Sequence, residues 1–352
     1  MELSKNIAIA LSYIIIIISL VPLIRHDYWI FRVCEYPRLQ KLFINVVLLL
    51  FLVFFFGIET TPDKVISFLL FLNTGYLIYQ VFPFTSFGPK QLHRTKKNEP
   101  KKQIGLFIGN VFQYNRNAAE YLKCIKSKDP DVVMLVETDQ WWASQLETLK
   151  EKYPHQLLAP SENTYGMLLY SKFELQEEKV KFLVQDDIPS VHMKIKLPSG
   201  DLISFHGLHP TPPVPQENPR STERDKEILL IGKEAKKTKG PVIVAGDLND
   251  VAWSYTTELF SKISGLLDPR KGRGFFNTFH AKYHFLRFPL DHVFCSNDFT
   301  LVHIERMPNC GSDHFPMFIK LQYSPEEAVR QEEPEADQED KETASKKINK
   351  AT

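Results

Sequence analysis

The N-terminal part of the chain carries three long apolar stretches separated by short polar segments, at about residues 7–24, 42–58 and 65–84. A helix needs roughly 17–25 apolar residues to cross the hydrocarbon layer of a bilayer, which is about 30 Å thick. Each stretch meets that length, and the isoleucines of Ile14–Ile18 are compatible with a helix because lipid offers the backbone no other hydrogen-bond partner. The pattern therefore predicts a membrane domain, residues 1–88, with three transmembrane helices.

Two other interpretations of these stretches are weaker. A cleavable signal peptide would be shorter, and no small-residue cleavage site follows the first stretch. Buried helices of a soluble core would show a polar face, which the second and third stretches lack. Membrane lipid is therefore expected to be a partner of the chain.

Charged residues between the apolar stretches indicate the orientation of the helices. Arg25, Arg32 and Arg38 lie between the first and second stretches, and a basic linker, residues 89–102, follows the third. The other polar segment contains the acidic residues Glu59 and Asp63. Because segments rich in lysine and arginine stay on the cytoplasmic side, we expect the N-terminus outside and the rest of the chain in the cytoplasm.

Residues 103–323 have the composition of a water-soluble α/β domain. Short apolar runs predict strands, and apolar residues at helical spacing predict helices at 117–127 and 221–236. Strands mixed with helices indicate a sheet covered on its faces, and about 220 residues can bury a large core as one domain. The predicted strands are Ile104–Ile108, Val132–Val136, Met167–Tyr170, Leu202–Phe205, Val242–Ala245, His292–Cys295 and Met317–Leu321.

The composition of the whole chain narrows the class of protein. Lysine and arginine number 43 against 42 acidic residues, which argues against a strongly basic nucleic-acid clamp, and 43% hydrophobic residues argue against a fully disordered chain. Four scattered cysteines argue against a disulfide scaffold. From residue 324 onward apolar residues are scarce, so residues 324–352 are predicted to be a disordered charged tail, with a short frayed helix as the alternative.

Polar residues that can bind a metal or transfer a proton lie where the predicted strands end. Strand ends that meet loops are where α/β sheets place their sites. Taken singly, each has an ordinary explanation, since Gly-Asp-Leu-Asn can be a simple turn and a lone histidine is more often structural. Taken together, they indicate one site: Asn110, Glu137, His209, Asp247, Asn249, Asp291, His292, Asp313 and His314.

These residues stand in short motifs whose order resembles the endonuclease/exonuclease/phosphatase superfamily, which has the DNase I-like fold. The resemblance covers residues 104–321 and implies a four-layer α/β sandwich, with two packed mixed β-sheets flanked by helices, here preceded by three transmembrane helices. The N-terminus resembles that of membrane-anchored bacterial members, so the expected location is the bacterial inner membrane. The motifs are Gly109-Asn110-Val111, Val136-Glu137-Thr138, Leu208-His209-Pro210, Gly246-Asp247-Leu248-Asn249, Leu290-Asp291-His292-Val293 and Ser312-Asp313-His314.

The resemblance implies a divalent metal site. Glu137 would be the principal Mg²⁺ ligand, helped by Asn110 and Asp313, with Mn²⁺ as a substitute. Oxygen ligands suit Mg²⁺, a hard cation that keeps several waters and uses one or two carboxylates together with substrate phosphate. Some family nucleases carry an acidic residue two places after the asparagine. This chain has Phe112 there, so whether the site binds one metal or two stays open.

The resemblance also implies a metal-assisted in-line attack of water on phosphorus. Asp247 would orient or deprotonate the water, and Asn249 would hold a phosphate oxygen. His314 would act beside the scissile phosphate, polarised by Asp291, because a carboxylate bonded to an imidazole fixes its tautomer. His209 would donate a hydrogen bond to the phosphate or the leaving oxygen.

The substrate would be a phosphodiester or phosphomonoester, either a nucleic acid or a phospholipid or inositol phosphate. Tyr165, Arg273 and Arg287 are the predicted substrate contacts. Basic and acidic residues are balanced within the domain, so no broad basic groove for duplex DNA is predicted. Anchoring mildly favours a lipid or another membrane-proximal phosphate.

Two other kinds of function are less consistent with the sequence than hydrolysis. A membrane-tethered scaffold with the same fold but no catalysis would lack a ligand or a base, and the chain retains both Glu137 and Asp247. A sensor would depend chiefly on the three helices. His280 and His284 have the spacing of a helical zinc pair, but no third ligand is evident, so a substrate-lining or structural role is favoured. No protein partner can be inferred from the sequence.

Overall fold

The N-terminal part of the structure, a computed structural model that describes residues 2–351, forms a small helical assembly. Its helices are α1 (Glu2–Leu20), the short α2 (Trp29–Val33), α3 (Arg38–Phe56) and α4 (Thr61–Val81). With their 3₁₀ extensions, three segments are long and apolar enough to cross a membrane, namely Glu2–Ile24, Arg38–Phe56 and Thr61–Phe84.

Polar side chains connect the three long helices inside their apolar bundle. The side-chain amide of Asn73 on α4 donates to Asn45 Oδ1 on α3 at 2.8 Å and to Ser19 Oγ on α1 at 3.3 Å. All three side chains are buried. Hydrogen bonds between helices contribute to association where burial of apolar surface does not, so this triad specifies how the helices pack.

Two mixed β-sheets form the middle of the C-terminal part. The first has six strands in the order β10-β11-β1-β2-β4-β3, and the second has five in the order β5-β6-β7-β8-β9. The strands are β1 (Gln103–Asn110), β2 (Val132–Val136), β3 (His155–Ala159), β4 (Met167–Ser171), β5 (Leu175–Lys181), β6 (Ser190–Lys196), β7 (Leu202–Leu208), β8 (Val242–Asp247), β9 (Asp291–Cys295), β10 (Phe299–Arg306) and β11 (Met317–Tyr323).

The alternation of side chains along each strand explains the layers. On β1, Leu106 and Ile108 belong to the core between the two sheets, whereas Phe107 points to the outer side, where it packs in the cluster of α5 (Ala118–Lys128) and α6 (Gln140–Gln145). On the other outer face, α7 (Thr222–Lys237) and α8 (Tyr255–Ser264) cover β8. The predicted four-layer sandwich of two mixed sheets is confirmed.

Four strands were not predicted from the sequence. β3 and β5 are edge strands, and the solvent-facing side of β5 carries charged residues, so its sequence Leu-Gln-Glu-Glu-Lys-Val-Lys lacks an apolar run. β6 contains polar His192 and Lys194, and β10 has an exposed, charged second half. Their strand character comes from pairing with neighbours.

The segments on either side of the sandwich are also folded against it. In the linker, Leu92 is fully buried, and the backbone of Thr95 donates to the Leu301 carbonyl at 2.9 Å. Helix α9 (Gln338–Asn349) begins at a capping box formed by Asp337 and Asp340 and packs on α7 and α8. The structure thus differs from the predicted disordered tail, because α9 buries a small apolar face through Ala344.

We expect the substitution Ala344→Asp to detach α9. Ala344 has no exposed surface and packs with Leu229 and Leu259, so a carboxylate there would be buried without a partner. The expected cost is about 1–3 kcal/mol, measured as a lower melting temperature of the full-length protein in detergent. Lys341→Asp, which places the same side chain at an exposed position of α9, is the control. Equal melting temperatures for both variants would contradict the docking of this helix.

Candidate active site

The ends of the central strands bring the predicted site residues to one edge of the two sheets. β1 and β2 are parallel, and Asn110 at the end of β1 pairs with Val136, directly before Glu137. β7 and β8 are also parallel, and β9 runs antiparallel to β8 so that Asp291 pairs with Asp247. The two sheets therefore contribute carboxylates to the same place.

A chain of polar contacts links the two sheets through these side chains. His314 Nδ1 lies 2.8 Å from Asp291 Oδ2, and His314 Nε2 lies 3.5 Å from Asp247 Oδ2. The amide of Asn110 donates to Asp247 Oδ2 at 3.0 Å and to Glu137 Oε1 at 2.7 Å. The five side chains form one connected network.

Burial and charge set the protonation of this network. Burial disfavours the charged form of His314, but the carboxylates of Asp291 and Asp247 outweigh it and raise the pKa of His314 to about 10. Burial also raises the pKa of Asp247 to about 7, against the opposing effect of His314. For Asp291, the charge and hydrogen bond of His314 overcome burial and lower its pKa. A charged imidazole thus lies between two carboxylates of different acidity.

His209 is a second, electrically different histidine of the site. Its Nε2 lies 4.0 Å from Asp247 Oδ2, and its ring centroid lies 5.2 Å from that of Tyr165. Burial, followed by the charge of His314, lowers the pKa of His209 to about 3, so the ring is neutral at neutral pH. Its buried Nδ1 has no hydrogen-bond partner among the described residues, so it is free to bond to a ligand.

Oxygen atoms of Glu137, Asn110 and Asp313 lie in the same part of the site. Ser312 Oγ donates to the Asn110 carbonyl at 2.9 Å, which holds the segment before Asp313 against the end of β1. The Asn110 Oδ1 accepts from Phe112 N at 2.9 Å, which leaves one lone pair of that oxygen for a cation. Burial and the charge of Asp313 raise the pKa of Glu137, a cost that a bound divalent cation would remove.

Other residue groups also have a geometry suited to a metal within residues 2–351. They are Asp247 with Asp291 and His314, and His192 with His206 and Glu234. In the first group, both ring nitrogens of His314 already face carboxylates. In the second group, the Nδ1 atoms of His192 and His206 form a hydrogen bond with each other at 2.7 Å. In both groups, the histidine nitrogens that would bind a metal already have partners.

The family assignment follows from comparison with known sequences. The model of the endonuclease/exonuclease/phosphatase family matches residues 109–314, which include every motif of the network. The chain belongs to this family. No curated protein sequence matches the chain.

Solved structures have the same fold. Humanized D. rerio TDP2 is 15% identical with a TM-score of 0.53, and the match covers 63% of this chain and 99% of that chain. An endonuclease/exonuclease/phosphatase from Beutenbergia cavernae is 16% identical with a TM-score of 0.52, covering 63% and 72% of the two chains. The human nocturnin catalytic domain is 14% identical with a TM-score of 0.51, covering 63% and 95%. At these identities the similarity shows the fold alone.

Two residues of this family member hold left-handed backbone conformations at the site. Glu137 has φ of 60° and Asn249 has φ of 49°. Asn249 N donates to Asp247 Oδ1 at 2.9 Å, and its side-chain amide donates to the Pro210 carbonyl at 2.9 Å. Such strain persists only where surrounding contacts impose it, and it is concentrated at functional sites.

The predicted substrate contacts lie in three different surroundings. The hydroxyl of Tyr165 donates a hydrogen bond to the Glu217 carboxylate, and the Tyr165 ring lies beside His209. Arg287 lies over the Phe315 ring at 4.9 Å, next to His314. Arg273 instead donates to the carbonyls of Leu92, Pro269 and Lys271, so the structure places it against the linker and not with the network.

Sequence reasoning missed three residues that support the network, one from the N-terminal part and two from the sandwich. Tyr36 OH donates to the Asn249 carbonyl at 2.9 Å, and Arg224 Nη1 donates to the same carbonyl at 2.7 Å. Thr278 Oγ1 accepts from the backbone N–H of Asp291 at 3.2 Å. No sequence signal identifies Tyr36, because it lies between two apolar stretches far from the motifs.

We expect Gly246→Ala to disrupt the end of β8 directly before Asp247. Gly246 has φ of 144°, and an added Cβ would lie 1.9 Å from the Leu208 carbonyl oxygen. Gly200→Ala is a matched control, because Gly200 has φ of 96° but open space around the added carbon. The control should cost about 1 kcal/mol, whereas Gly246→Ala should cost several times more in thermal stability. Similar losses of thermal stability in the two variants would show that local shifts relieve the clash of the added Cβ with the Leu208 carbonyl.

Proposed function

We propose that the chain is a membrane-anchored, Mg²⁺-dependent phosphoesterase that hydrolyses a phosphodiester or a phosphomonoester by in-line attack of water. The observation that carries the proposal is the continuous network from Asp291 through His314, Asp247 and Asn110 to Glu137, in a member of this family. It combines a cationic donor, a carboxylate with a near-neutral pKa and an oxygen-rich metal site within hydrogen-bond reach of one another.

Glu137, Asp313 and Asn110 are the residues that would hold the metal. All three offer oxygen, the ligand that Mg²⁺ and Mn²⁺ prefer. When bound, the metal would polarise a phosphate oxygen and neutralise charge that grows during the displacement. The Asn110 amide would fix the orientation of Glu137 relative to Asp247, because it donates to both carboxylates.

The other residues have separate roles in this proposal. Asp247 accepts a proton from the attacking water, for which a pKa of about 7 is well suited. His314, kept protonated by Asp291, donates to the phosphate and stabilises its negative charge. Neutral His209 donates from a ring nitrogen to the phosphate or leaving oxygen, and Asn249 lines the same position, with Tyr165 and Arg287 as further substrate contacts.

Contacts between the N-terminal part and the sandwich support anchoring. The backbone of Trp29 donates to the Pro219 carbonyl at 2.8 Å, and Tyr28 pairs with Arg220 in a β-bridge. When α1, α3 and α4 each cross the membrane once, the segment between α1 and α3 lies on the same side as the sandwich, which follows α4. The contacts of Tyr28 and Trp29 with the sandwich are therefore compatible with three membrane crossings. The excess of lysine and arginine on that side supports a cytoplasmic sandwich, with the bacterial inner membrane as the proposed location.

A substrate panel with the full-length protein in detergent tests the proposal. DNA, RNA, phosphoinositides, sphingomyelin and bis(p-nitrophenyl) phosphate are incubated with protein and Mg²⁺, then with EDTA. We expect hydrolysis of at least one ester with Mg²⁺ and its loss with EDTA. Hydrolysis of none would favour the catalytically inactive scaffold. Nucleic acid belongs in the panel because one D. rerio TDP2 structure is a complex with a single-strand DNA product.

Glu137→Gln tests the metal site. The amide keeps the shape of the side chain but removes its charge, so we expect the Mg²⁺ concentration for half-maximal hydrolysis to rise at least tenfold. The control is Glu147→Gln, an exposed residue that pairs with Lys150 far from the network. An unchanged Mg²⁺ requirement in Glu137→Gln would remove this residue from the metal site.

A further inference from the structure

A loop of residues 280–287 connects the candidate active site to the second apolar helix. At its base, the backbone of Ala281 donates to the Asp313 carbonyl at 2.6 Å, and the neighbouring Phe279 ring lies 4.9 Å from the His314 ring. At its tip, the Gln40 side-chain amide donates to the Phe285 carbonyl at 2.5 Å. Loop 280–287 therefore contacts both the candidate site and the beginning of α3.

The length of α3 places this contact at the edge of a bilayer. Nineteen residues at about 1.5 Å per residue span about 28 Å, close to the roughly 30 Å hydrocarbon layer. Gln40, in the first turn, would then lie at the boundary with the headgroups. Phe43 and Ile44, one turn further on the same face of α3, are 71% and 45% exposed, as expected of lipid-facing side chains.

The side chains of loop 280–287 suit that boundary. Tyr283, Phe285 and Leu286 are 58%, 87% and 52% exposed, an apolar surface that water alone does not favour. Lys282 and Arg287 flank them, and the sequence from 277 to 290 contains no acidic residue. An apolar tip with cationic flanks is the composition that binds the interface of an anionic membrane.

Further contacts hold the segment between α1 and α3 against the sandwich beside loop 280–287. The Tyr36 ring packs edge-on against Phe288 at 5.5 Å, directly after the loop, and Trp253 Nε1 donates to the Glu35 carbonyl at 2.9 Å. Arg32 Nη2 donates to Thr256 Oγ1 at 2.6 Å. The segment between α1 and α3 thus lies along the same side of the sandwich as loop 280–287.

Two arginines near the loop are available for an anionic group. Arg287 and Arg306 lie over the Phe315 ring, at 4.9 Å and 4.2 Å, and each donates to a backbone carbonyl. Among residues 2–351, the arginines with a carboxylate within ion-pair distance do not include either of them. The Ala281 carbonyl that accepts from Arg287 belongs to the residue whose backbone N–H donates to the Asp313 carbonyl, which connects Arg287 to the metal-binding side of the candidate site.

We propose that loop 280–287 inserts Tyr283, Phe285 and Leu286 into the headgroup layer and that the phosphate ester cleaved by the site belongs to a lipid of the same bilayer. This inference rests on the proposed hydrolase function and specifies its substrate class. A nucleic acid would have to approach the site along an anionic membrane surface, which repels a polyanion, whereas a lipid headgroup is already at that depth.

The position of the loop is tested without any measurement of activity. Full-length protein carrying Cys34→Ser and Phe285→Cys is labelled with the fluorophore NBD and reconstituted into vesicles of phosphatidylcholine and phosphatidylglycerol. Doxyl-labelled phosphatidylcholine should quench this label at least threefold more than a label at Leu202→Cys. Leu202 is also exposed, but it lies at the start of β7. It is about 20 Å along the strand from the end that leads to His209 and the candidate site. Equal quenching at both positions, or quenching of the Phe285 label by aqueous iodide alone, would overturn membrane docking.

The substrate class is tested in the same reconstituted system. The double variant Phe285→Ser/Leu286→Ser should lose at least ten times more rate on lipid esters in the vesicles, from a panel of phosphatidylglycerol, sphingomyelin and phosphatidylinositol phosphate, than on bis(p-nitrophenyl) phosphate in solution. Equal losses on both substrates would overturn the docking role. Wild-type protein that cleaves an oligonucleotide but no lipid would overturn the lipid assignment alone, whereas cleavage of no ester would contradict the proposed function as well.

Discussion

Replacing His314 with glutamine is expected to lower the rate of phosphate-ester hydrolysis by about a hundred- to a thousandfold. Glutamine retains a hydrogen-bond donor of similar reach but carries no charge. The rate should therefore fall because, in the proposed mechanism, the wild-type imidazole donates to the phosphate as a cation, its pKa being raised to about 10 between Asp291 and Asp247. The measurement is kcat for bis(p-nitrophenyl) phosphate with full-length protein in detergent at saturating Mg²⁺.

An exposed histidine provides the control for this prediction. His303→Gln removes an imidazole that also pairs with a carboxylate, Glu305 at 2.6 Å, but on the exposed part of β10. It should keep wild-type kcat. Asp291→Asn should resemble His314→Gln in kcat with little change in KM, because Asp291 acts through the imidazole. A His314→Gln protein with a normal melting temperature and a wild-type rate would exclude this mechanism.

Replacing Arg224 with methionine is expected to destabilise the protein by about 3–5 kcal/mol. Arg224 is fully buried, and its guanidinium lies 2.9 Å from Asp225, 3.4 Å from Asp250 and 2.7 Å from the Asn249 carbonyl. Methionine fills much of the volume but leaves buried acceptors without their donor. The midpoint of thermal unfolding in detergent measures the effect.

The matched control for Arg224 is Arg220→Met. Arg220 also pairs with an aspartate, Asp27 at 2.9 Å, but its side chain is 51% exposed. Arg220→Met should cost about 0–1 kcal/mol, because water screens the exposed guanidinium and the Asp27 carboxylate keeps Thr222, at 2.6 Å, and Lys350 as partners after the change. Equal destabilisation by the two substitutions would show that Arg224 contributes through packing alone.

The parts of the fold that are predictable from the sequence are those where burial is strong. Three lipid-compatible helices and the central strands β1, β2 and β8 have continuous apolar runs, so their sequence predicts them directly. Edge strand β5 has no such run, because only one side of it packs on the core. Helix α9 shows only Ala344 and Ile348 on its apolar face, too few to distinguish a docked helix from a charged tail.

The candidate site likewise contains residues that the sequence indicates and residues that it does not. Asn110, Glu137 and Asp247 were predictable, because a polar residue directly after a buried strand is conspicuous. Arg273 was predicted to contact the substrate, but its guanidinium donates to backbone carbonyls beside the linker. The sequence does not distinguish these two roles for a basic residue near the motifs. Tyr36 could not be found, because its contact with Asn249 joins residues more than 200 positions apart.

The contact of Tyr36 with the Asn249 carbonyl has a consequence for the modularity of the chain. A fragment that begins at Gln103 would lose this donor and the Arg32 contact with Thr256, and it would expose Trp253, Phe288 and Leu290, which pack with Tyr36, Leu39 and Phe84. The N-terminal helices are then not an exchangeable tether. They contribute one wall of the candidate site, and a sandwich joined to other N-terminal helices would lack that wall.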